Sequence, residues 1–387
     1  MQIVKLTLLI SFLSGILLLI ANFAPAFPKI TFTPQETIVN HFKTDPIPQK
    51  PASGSFVKRQ GERLILDGMD YAIVGVNDYA LAYQSNDVID RTFVALQKAG
   101  VTTVRFWLFG DGHPDGFQPE PGQINEARFK QADYVIYSAQ KYNIKLIPVL
   151  VNNWTDYGGK AQYLKWSGKS ASTTDPSFYT DPNIRSLFEN YLSYVFSRKN
   201  TYTNVQYTDD PTILGWDIMN EPRSTSNIEM NNWLASIALD MKAHDPNHLV
   251  FVGTERATGA VTDEGKSTEL CEHNAIDVCS IHLYLFNEQK PLFASYQEVT
   301  RYLQMQKVYA NKINKPVFLE EFGIATDTKP FGQSQLSVMK QLLGVAQKDG
   351  YAGVLIWDWA NESKSPFTFS PEVEKGYSLT DLQQLFR

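Results

Sequence analysis

The stretch Ile213-Leu214-Gly215-Trp216-Asp217-Ile218-Met219 is a short apolar run, and it ends abruptly in Asn220-Glu221-Pro222-Arg223. Such a run, bounded by turn formers and too short for a helix, reads as a strand buried on both faces. Strands of that kind belong to parallel sheets covered by helices. Pro222 disfavours helical geometry at the residue before it, so Glu221 stands at the strand's exit rather than inside the next helix. A carboxylate ending an apolar strand is costly to bury without a partner or a purpose.

Working outward, seven further runs share this character. Tyr71–Asn77, Thr103–Phe109 and Ile144–Asn152 precede it, and Leu249–Thr254, Val278–Tyr284, Pro316–Phe322 and Gly353–Trp359 follow. Between them lie stretches with helical spacing: Val88–Ala99, Glu126–Tyr142, Ile184–Lys199, Met230–Ala243, Tyr296–Ile313 and Gln335–Lys348. The helical signal between the fifth and sixth runs is weak. Strand–helix alternation of this length predicts an α/β fold, a single (β/α)8 TIM barrel. A doubly wound open sheet is the alternative, but no Gly-rich phosphate turn follows the first run, where that fold places one.

The chain's 387 residues suit one barrel, since such domains routinely exceed about 250 residues. Residues 1–26 read as a signal peptide or an uncleaved membrane anchor: Lys5 precedes the apolar stretch Leu6–Ile20, and Ala24-Pro25-Ala26 offers small residues for cleavage. Either way the bulk of the chain is expected outside the cytoplasm, secreted or anchored. Residues 27–55, with Pro28, Pro34, Pro46, Pro48 and Pro51, form a Pro-rich linker. The folded domain then spans 56–387, opening with a small hairpin (Phe56-Val57 and Leu64-Ile65-Leu66 around Gly61) that could plug one end of the barrel. Cys271 and Cys279 are either one local disulfide or two free thiols.

A net charge of -6 with no Lys/Arg run excludes a phosphate-binding stripe, so no nucleic-acid partner is expected. Pro246 breaks the helix that would align His244 with His248, and no P-loop or serine elbow appears; neither a metal nor a cofactor is expected. What remains is a second strand-end acid. The seventh run finishes Phe318-Leu319-Glu320-Glu321-Phe322-Gly323. Carboxyls on the fourth and seventh strands can face each other across a barrel mouth, where function sits. Glycoside hydrolysis needs two such groups, ~5–5.5 Å apart for retention and ~6.5–9.5 Å for inversion.

Further motifs carry a family resemblance. Asn220-Glu221-Pro222 and Glu321-Phe322-Gly323 look like those of the large clan of (β/α)8 retaining glycosidases. More particular are Leu150-Val151-Asn152-Asn153-Trp154, Tyr157-Gly158-Gly159-Lys160-Ala161-Gln162-Tyr163, Asp209-Asp210-Pro211-Thr212-Ile213, and Arg223 after Asn-Glu-Pro. Together they resemble the endo-β-1,4-mannanases of glycoside hydrolase family 5, in the branch with plant and fungal enzymes, from about Gly54 to Trp357. Related glucanases often carry a His after the third strand, where this chain has Asn152-Asn153-Trp154.

The resemblance implies a monomeric glycoside hydrolase acting on plant-type β-mannan, glucomannan or galactomannan. It makes Glu221 the acid/base and Glu321 the nucleophile of a double displacement. Glu320 is expected to point away, because neighbours on a strand face opposite sides. Arg105 is expected to lower the nucleophile's pKa, Tyr284 to hydrogen-bond it, Asn220 to bind the sugar 2-hydroxyl, and His282 to orient the site beside the acid/base. Trp357 would stack on the reacting sugar and Trp107 and Trp154 would be further platforms, with barrel packing the alternative for any single Trp. Asn153 joins the substrate-binding set, and Arg223 either reaches the leaving-group side or pins its loop. Asp358 and Trp359 could reshape the reacting subsite. Two other readings use the same chain: a β-glucanase or transglycosylase with the same two glutamates, or a carbohydrate-binding barrel without activity.

Overall fold

The computed structural model of the protein describes residues 54–254, 270–287, 290–361 and 365–386. The expected signal or anchor, and all but the end of the expected linker, lie outside the described residues. The described chain opens with three short antiparallel strands, β1 (Lys58–Gln60), β2 (Arg63–Leu66) and β3 (Met69–Asp70). The expected hairpin thus gains a third strand. Gly61 makes its first turn at φ +61°, a conformation that costs glycine little. Val57 and Leu64 pack with Ile73, Ile147, Leu214, Phe251, Phe318 and Leu355, closing the lower end of the barrel with apolar side chains.

The barrel strands follow: β4 (Ile73–Asn77), β5 (Thr103–Trp107), β6 (Lys145–Val149), β7 (Gly215–Asn220), β8 (Leu249–Gly253) and β9 (Cys279–Tyr284). After a small ribbon of β10 (Phe286–Asn287) and β11 (Lys290–Pro291) come β12 (Val317–Gly323) and β13 (Gly353–Ile356). Their parallel order is β8-β7-β6-β5-β4-β13-β12-β9. Hydrogen bonds from Asp277 N to Val250 O and from His282 N to Thr254 O, both 2.9 Å, draw β9 against β8. The sheet is therefore nearly closed, and with its surrounding helices it is the expected (β/α)8 barrel.

All six expected helices form, as Asn86–Ala99, Glu126–Lys141, Pro182–Ser197, Asn227–His244, Tyr296–Lys312 and Gln335–Lys348. Their buried faces carry the periodic apolar residues; in the first, Ile89, Phe93 and Leu96 pack inward and Gly100 ends the helix at φ +86°. Between β8 and β9 the described residues hold a short helical turn, Leu270–Glu272; the rest of the stretch with the weak helical signal, 255–269, lies outside the described residues. Cys271 and Cys279 form a disulfide with Cα atoms 5.2 Å apart, tying that turn to the start of β9.

Candidate active site

Arg105, the third residue of β5, is wholly buried and organises the barrel mouth. Its Nη2 and Nε donate to Asp217 Oδ2 at 2.7 and 3.1 Å. Nη1 donates to Glu321 Oε1 at 2.7 Å and to Asn77 Oδ1 at 3.1 Å, and Nη2 also reaches Asn220 Oδ1 at 2.9 Å. A rigid fork that satisfies several acceptors at once is what arginine supplies and lysine does not. Asp217 Oδ1 in turn accepts the backbone N–H groups of Met219 and Gly253. The first of these holds a local irregularity in β7, where the register to β8 shifts between Asp217 and Asn220.

A second irregularity corrects an expectation. In β12, Leu319 pairs with Ile281 while Glu321 pairs with His282, so Glu320 is one extra residue relative to β9. The register to β13 slips in the same place. Such a bulge breaks the alternation of faces. Glu320 does not point away: it is 0 % exposed, with Oε1 3.5 Å from Arg105 Nε and Oε2 3.3 Å from His282 Nε2. Both acids enter the barrel. Glu321 is the one bonded by Tyr284, whose hydroxyl donates to Oε2 at 2.7 Å.

Across the mouth, Glu221 lies just beyond β7 at φ +51°, outside right-handed helical geometry as Pro222 implied. Its N–H bonds Gly253 O at 2.8 Å. His282 Nδ1 is 2.7 Å from Glu221 Oε1 and 3.4 Å from Glu321 Oε2, and the Trp154 indole N–H donates to Glu221 Oε2. Facing oxygens of Glu221 and Glu321, with the ring nitrogen of His282, all lie within 4.8 Å of one another.

The electrostatics follow from these contacts. Burial alone would neutralise His282, yet the negative charge of Glu321 and hydrogen bonds to Glu221 and Glu320 push its pKa up to about 10. For Glu221, burial is outweighed by the bond and charge of His282, with help from Trp154 and Arg105, and its pKa falls. Glu321 moves the other way. Arg105 and His282 do favour its ionised form, but burial exceeds them and the net shift is upward, against the expected lowering. Asp217 rises to about 6 through burial and the nearby charge of Glu320, with Arg105 opposing.

Aromatic residues line the mouth unequally. Trp357, directly after β13, is half-buried and stacks on Tyr79 at 5.6 Å and 17°. Trp107 is only 4 % exposed, wedged between the Arg105 guanidinium at 4.9 Å and Trp357 at 6.4 Å, so it forms the floor and is not a platform. Trp154 is partly exposed, and the Arg223 guanidinium lies over its ring at 4.4 Å. Arg223 O is held by Lys160 Nζ at 2.6 Å and Tyr179 OH at 3.0 Å, which anchors this loop.

Asn153 is 0 % exposed, and its backbone N–H donates to Asn220 O at 3.0 Å, so it braces the strand end behind the acid/base. Its neighbour Asn152, also buried, meets Asn220 through its side chain, accepting from Nδ2 at 2.9 Å. Trp359 is buried in the core, whereas Asp358 accepts from Thr368 Oγ1 at 2.8 Å and lines a groove of roughly 970 Å3 with Tyr79, Tyr157 and Asn361. Burial raises Asp358 to about 6.

Sequence reasoning missed Asn77, Tyr79, Asn152 and Asp217. Asn77 and Asp217 carried a usable signal, being polar residues inside otherwise apolar strands. Tyr79 and Asn152 lie where strands run out into loops, and there sequence does not fix side-chain direction.

Two opposed carboxyls at the C-terminal mouth of a barrel, one held by an arginine and a tyrosine and the other by a histidine and an indole, define a glycoside hydrolase. Comparison with known proteins agrees. The sequence profile of the family described as GH family 5 beta-mannosidase-like matches residues 54–365. Mannan endo-1,4-beta-mannosidase 3 of Arabidopsis thaliana is 32% identical over 359 residues, covering 82% of this chain and 86% of the relative. Mannan endo-1,4-beta-mannosidase 2 of Oryza sativa subsp. japonica is 31% identical over 381 residues, covering 87% and 84%. The crystal structure of an endo-1,4-beta-mannanase from Rhizomucor miehei superposes with a TM-score of 0.71 at 27% identity, covering 86% of this chain and 97% of that one. The chain belongs to glycoside hydrolase family 5, in its β-mannosidase-like group.

Proposed function

We propose that the protein hydrolyses internal β-1,4-mannosidic linkages of mannans, glucomannans and galactomannans with retention of anomeric configuration. The observation that carries this reading is the approach of one oxygen of Glu221 to one oxygen of Glu321 to within 4.8 Å. That separation suits direct attack by a carboxylate, since an inverting pair stands ~6.5–9.5 Å apart to admit a water. The names of the relatives supply the sugar.

In the first step Glu321 attacks the anomeric carbon while Glu221 protonates the departing oxygen. Arg105 and Tyr284, on separate oxygens, aim the nucleophile. Asn220 is fixed by Arg105 and Asn152 to meet the 2-hydroxyl, a contact that strengthens at the transition state. In the second step Glu221 takes a proton from water, which attacks the same carbon and frees Glu321. Trp357 offers its exposed face to the reacting sugar, and Trp154 and Arg223 serve the leaving-group side.

The protein acts outside the cytoplasm as a monomer. The apolar N-terminal segment and the Cys271–Cys279 bridge support export, because disulfides persist in oxidising compartments. The site is complete within one chain. Product analysis on locust-bean galactomannan, carboxymethylcellulose and xylan tests the substrate class, with proton NMR of the first-formed anomer testing retention. Oligomannosides released as β-anomers are expected; cellulose-only activity or α-anomers would overturn the reading. Glu321→Ala should abolish turnover while mannan binding survives.

A further inference from the structure

Neither chemical step uses Glu320, yet the fold goes to some length to bring its carboxylate inside. An extra residue in β12 turns it inward, and Asn77 Nδ2 holds its carbonyl at 2.9 Å. Its two oxygens meet His282 Nε2 and Arg105 Nε. Strand β8, on the far side of β9, makes room: a Cβ on Gly253 would come to 2.9 Å of Glu320 Oε2 and to 3.0 Å of both His282 Nε2 and Arg105 Nη2.

An imidazole has two distinct nitrogens, and the partner of one fixes the role of the other. On His282 the partners are Glu320 at Nε2 and Glu221 at Nδ1. We propose that Glu320 is a positioning residue that keeps a proton on Nε2 of His282, so that Nδ1 always faces Glu221 and the two share the single proton that is lent to the leaving group and returned from water.

This rests on Glu221 being the acid/base. An imidazolium beside a Glu221 carboxylate and a neutral ring beside a Glu221 carboxylic acid differ only by one transfer along a 2.7 Å contact. The Nδ1–H bond breaks with its electron pair left on nitrogen, and an O–H bond forms on Oε1. As the glycosidic bond breaks, its electron pair goes to the departing oxygen, which takes that proton from Glu221. In the second step a water proton returns to Glu221 and the pair is reset. The transfer between His282 and Glu221 leaves the pair's net charge unchanged; the pair becomes one unit more negative only when the proton passes to the departing oxygen, as Glu321 loses its own charge to the covalent ester. The lowered pKa of Glu221 and the raised pKa of His282 are then two views of one shared proton.

The other groups facing the pair fit this scheme. Glu321 on β12 and Asp217 on β7 favour keeping the proton, and Arg105 on β5 opposes it. Tyr284 on β9 is engaged with Glu321. Without Glu320, Nε2–H would face the Arg105 cation with no anion between them.

The test uses the full chain with Glu320→Gln, close in size, and Glu320→Met, which removes both charge and acceptor oxygen. In both, the alkaline limb of kcat/KM on a linear manno-oligosaccharide should move down by about one pH unit or more, because an anion that retained the shared proton is gone. Near neutrality kcat should fall about tenfold to a hundredfold with KM little changed, and an activated aryl β-mannoside, which needs no acid, should lose far less. Imidazole nitrogen NMR of the wild type should show a proton on Nε2 of His282, and Glu320→Met should populate the other tautomer. An unmoved alkaline limb with a uniformly lower kcat, or a wild-type ring protonated on Nδ1 alone when neutral, would overturn the proposal. The ring signal is read without substrate, so a wild type inactive on mannan but protonated on Nε2 would sink the proposed substrate and leave the role of Glu320 standing.

Discussion

Arg105 grips a single oxygen of Asp217 through two of its nitrogens, at 2.7 and 3.1 Å, with both side chains sealed from solvent. This pairing sets the direction of the guanidinium, and so of the N–H that reaches Glu321. Asp217→Ala should therefore damage chemistry and fold together. Removing one partner of a buried ion pair costs about 3–5 kcal/mol. Urea unfolding should register that loss, and kcat/KM should fall with it; a variant of wild-type stability would show that the remaining anions hold Arg105 unaided.

Glu221→Ala should discriminate between leaving groups. General acid catalysis contributes ~10²–10⁴-fold, and a leaving group that departs as a stable anion forgoes it. Steady-state rates on dinitrophenyl and on unactivated mannosides should separate by that order. Equal losses on both would remove Glu221 from the role.

Gly253→Ala probes the junction of Glu320, His282 and Arg105, whose atoms stand 2.9–3.0 Å from the added Cβ. Overpacking a fitted interior costs about 1–3 kcal/mol. A lower melting temperature with a larger fall in kcat than rise in KM is expected. Unchanged kcat would mean that the junction yields freely.

Asp111 links stability to pH. Burial pushes it up to about 8, partly offset by the Gly159 N–H, whereas the unfolded value is about 3.9. The folded protein thus holds a proton that the unfolded chain releases. Its contribution is complete below about pH 3.9 and is lost as pH rises towards 8, at up to ~1.4 kcal/mol per pH unit. Urea midpoints at pH 5 and pH 7.5 should converge in Asp111→Asn; identical pH slopes in both proteins would refute the assignment.

The strands and helices were legible because burial on both faces leaves an apolar run for each strand, while 3.6-residue spacing marks each helix. Helix ends such as Gln335–Lys348 came out to the residue. What escaped was local phase. Alternation of faces along Phe318-Leu319-Glu320-Glu321 presumes an unbroken pleat, and an inserted residue shows itself only in pairing with the adjacent strands. The same blindness hid which of Asn152 and Asn153, neighbours beyond the end of β6 where the chain leaves the sheet, meets Asn220 through its side chain. Trp107 and Trp154 looked equivalent at strand exits; the cover that Trp357 and Arg105 give the first is a tertiary fact.

The apolar plug beneath the barrel has a consequence for traffic. Val57 and Leu64, wedged among Phe251, Phe318 and Leu355, fill the lower end of the axis with apolar side chains, a poor path for water to the acids. On the proposed mechanism the hydrolytic water then arrives from the mouth, by the doorway through which the first product leaves. A saccharide lingering there stands in the path of water, with its own hydroxyl aimed at the same carbon. On the proposed mechanism the balance between cutting chains and rejoining them is a contest at one entrance, decided by how quickly the leaving-group side beside Trp154 and Arg223 empties.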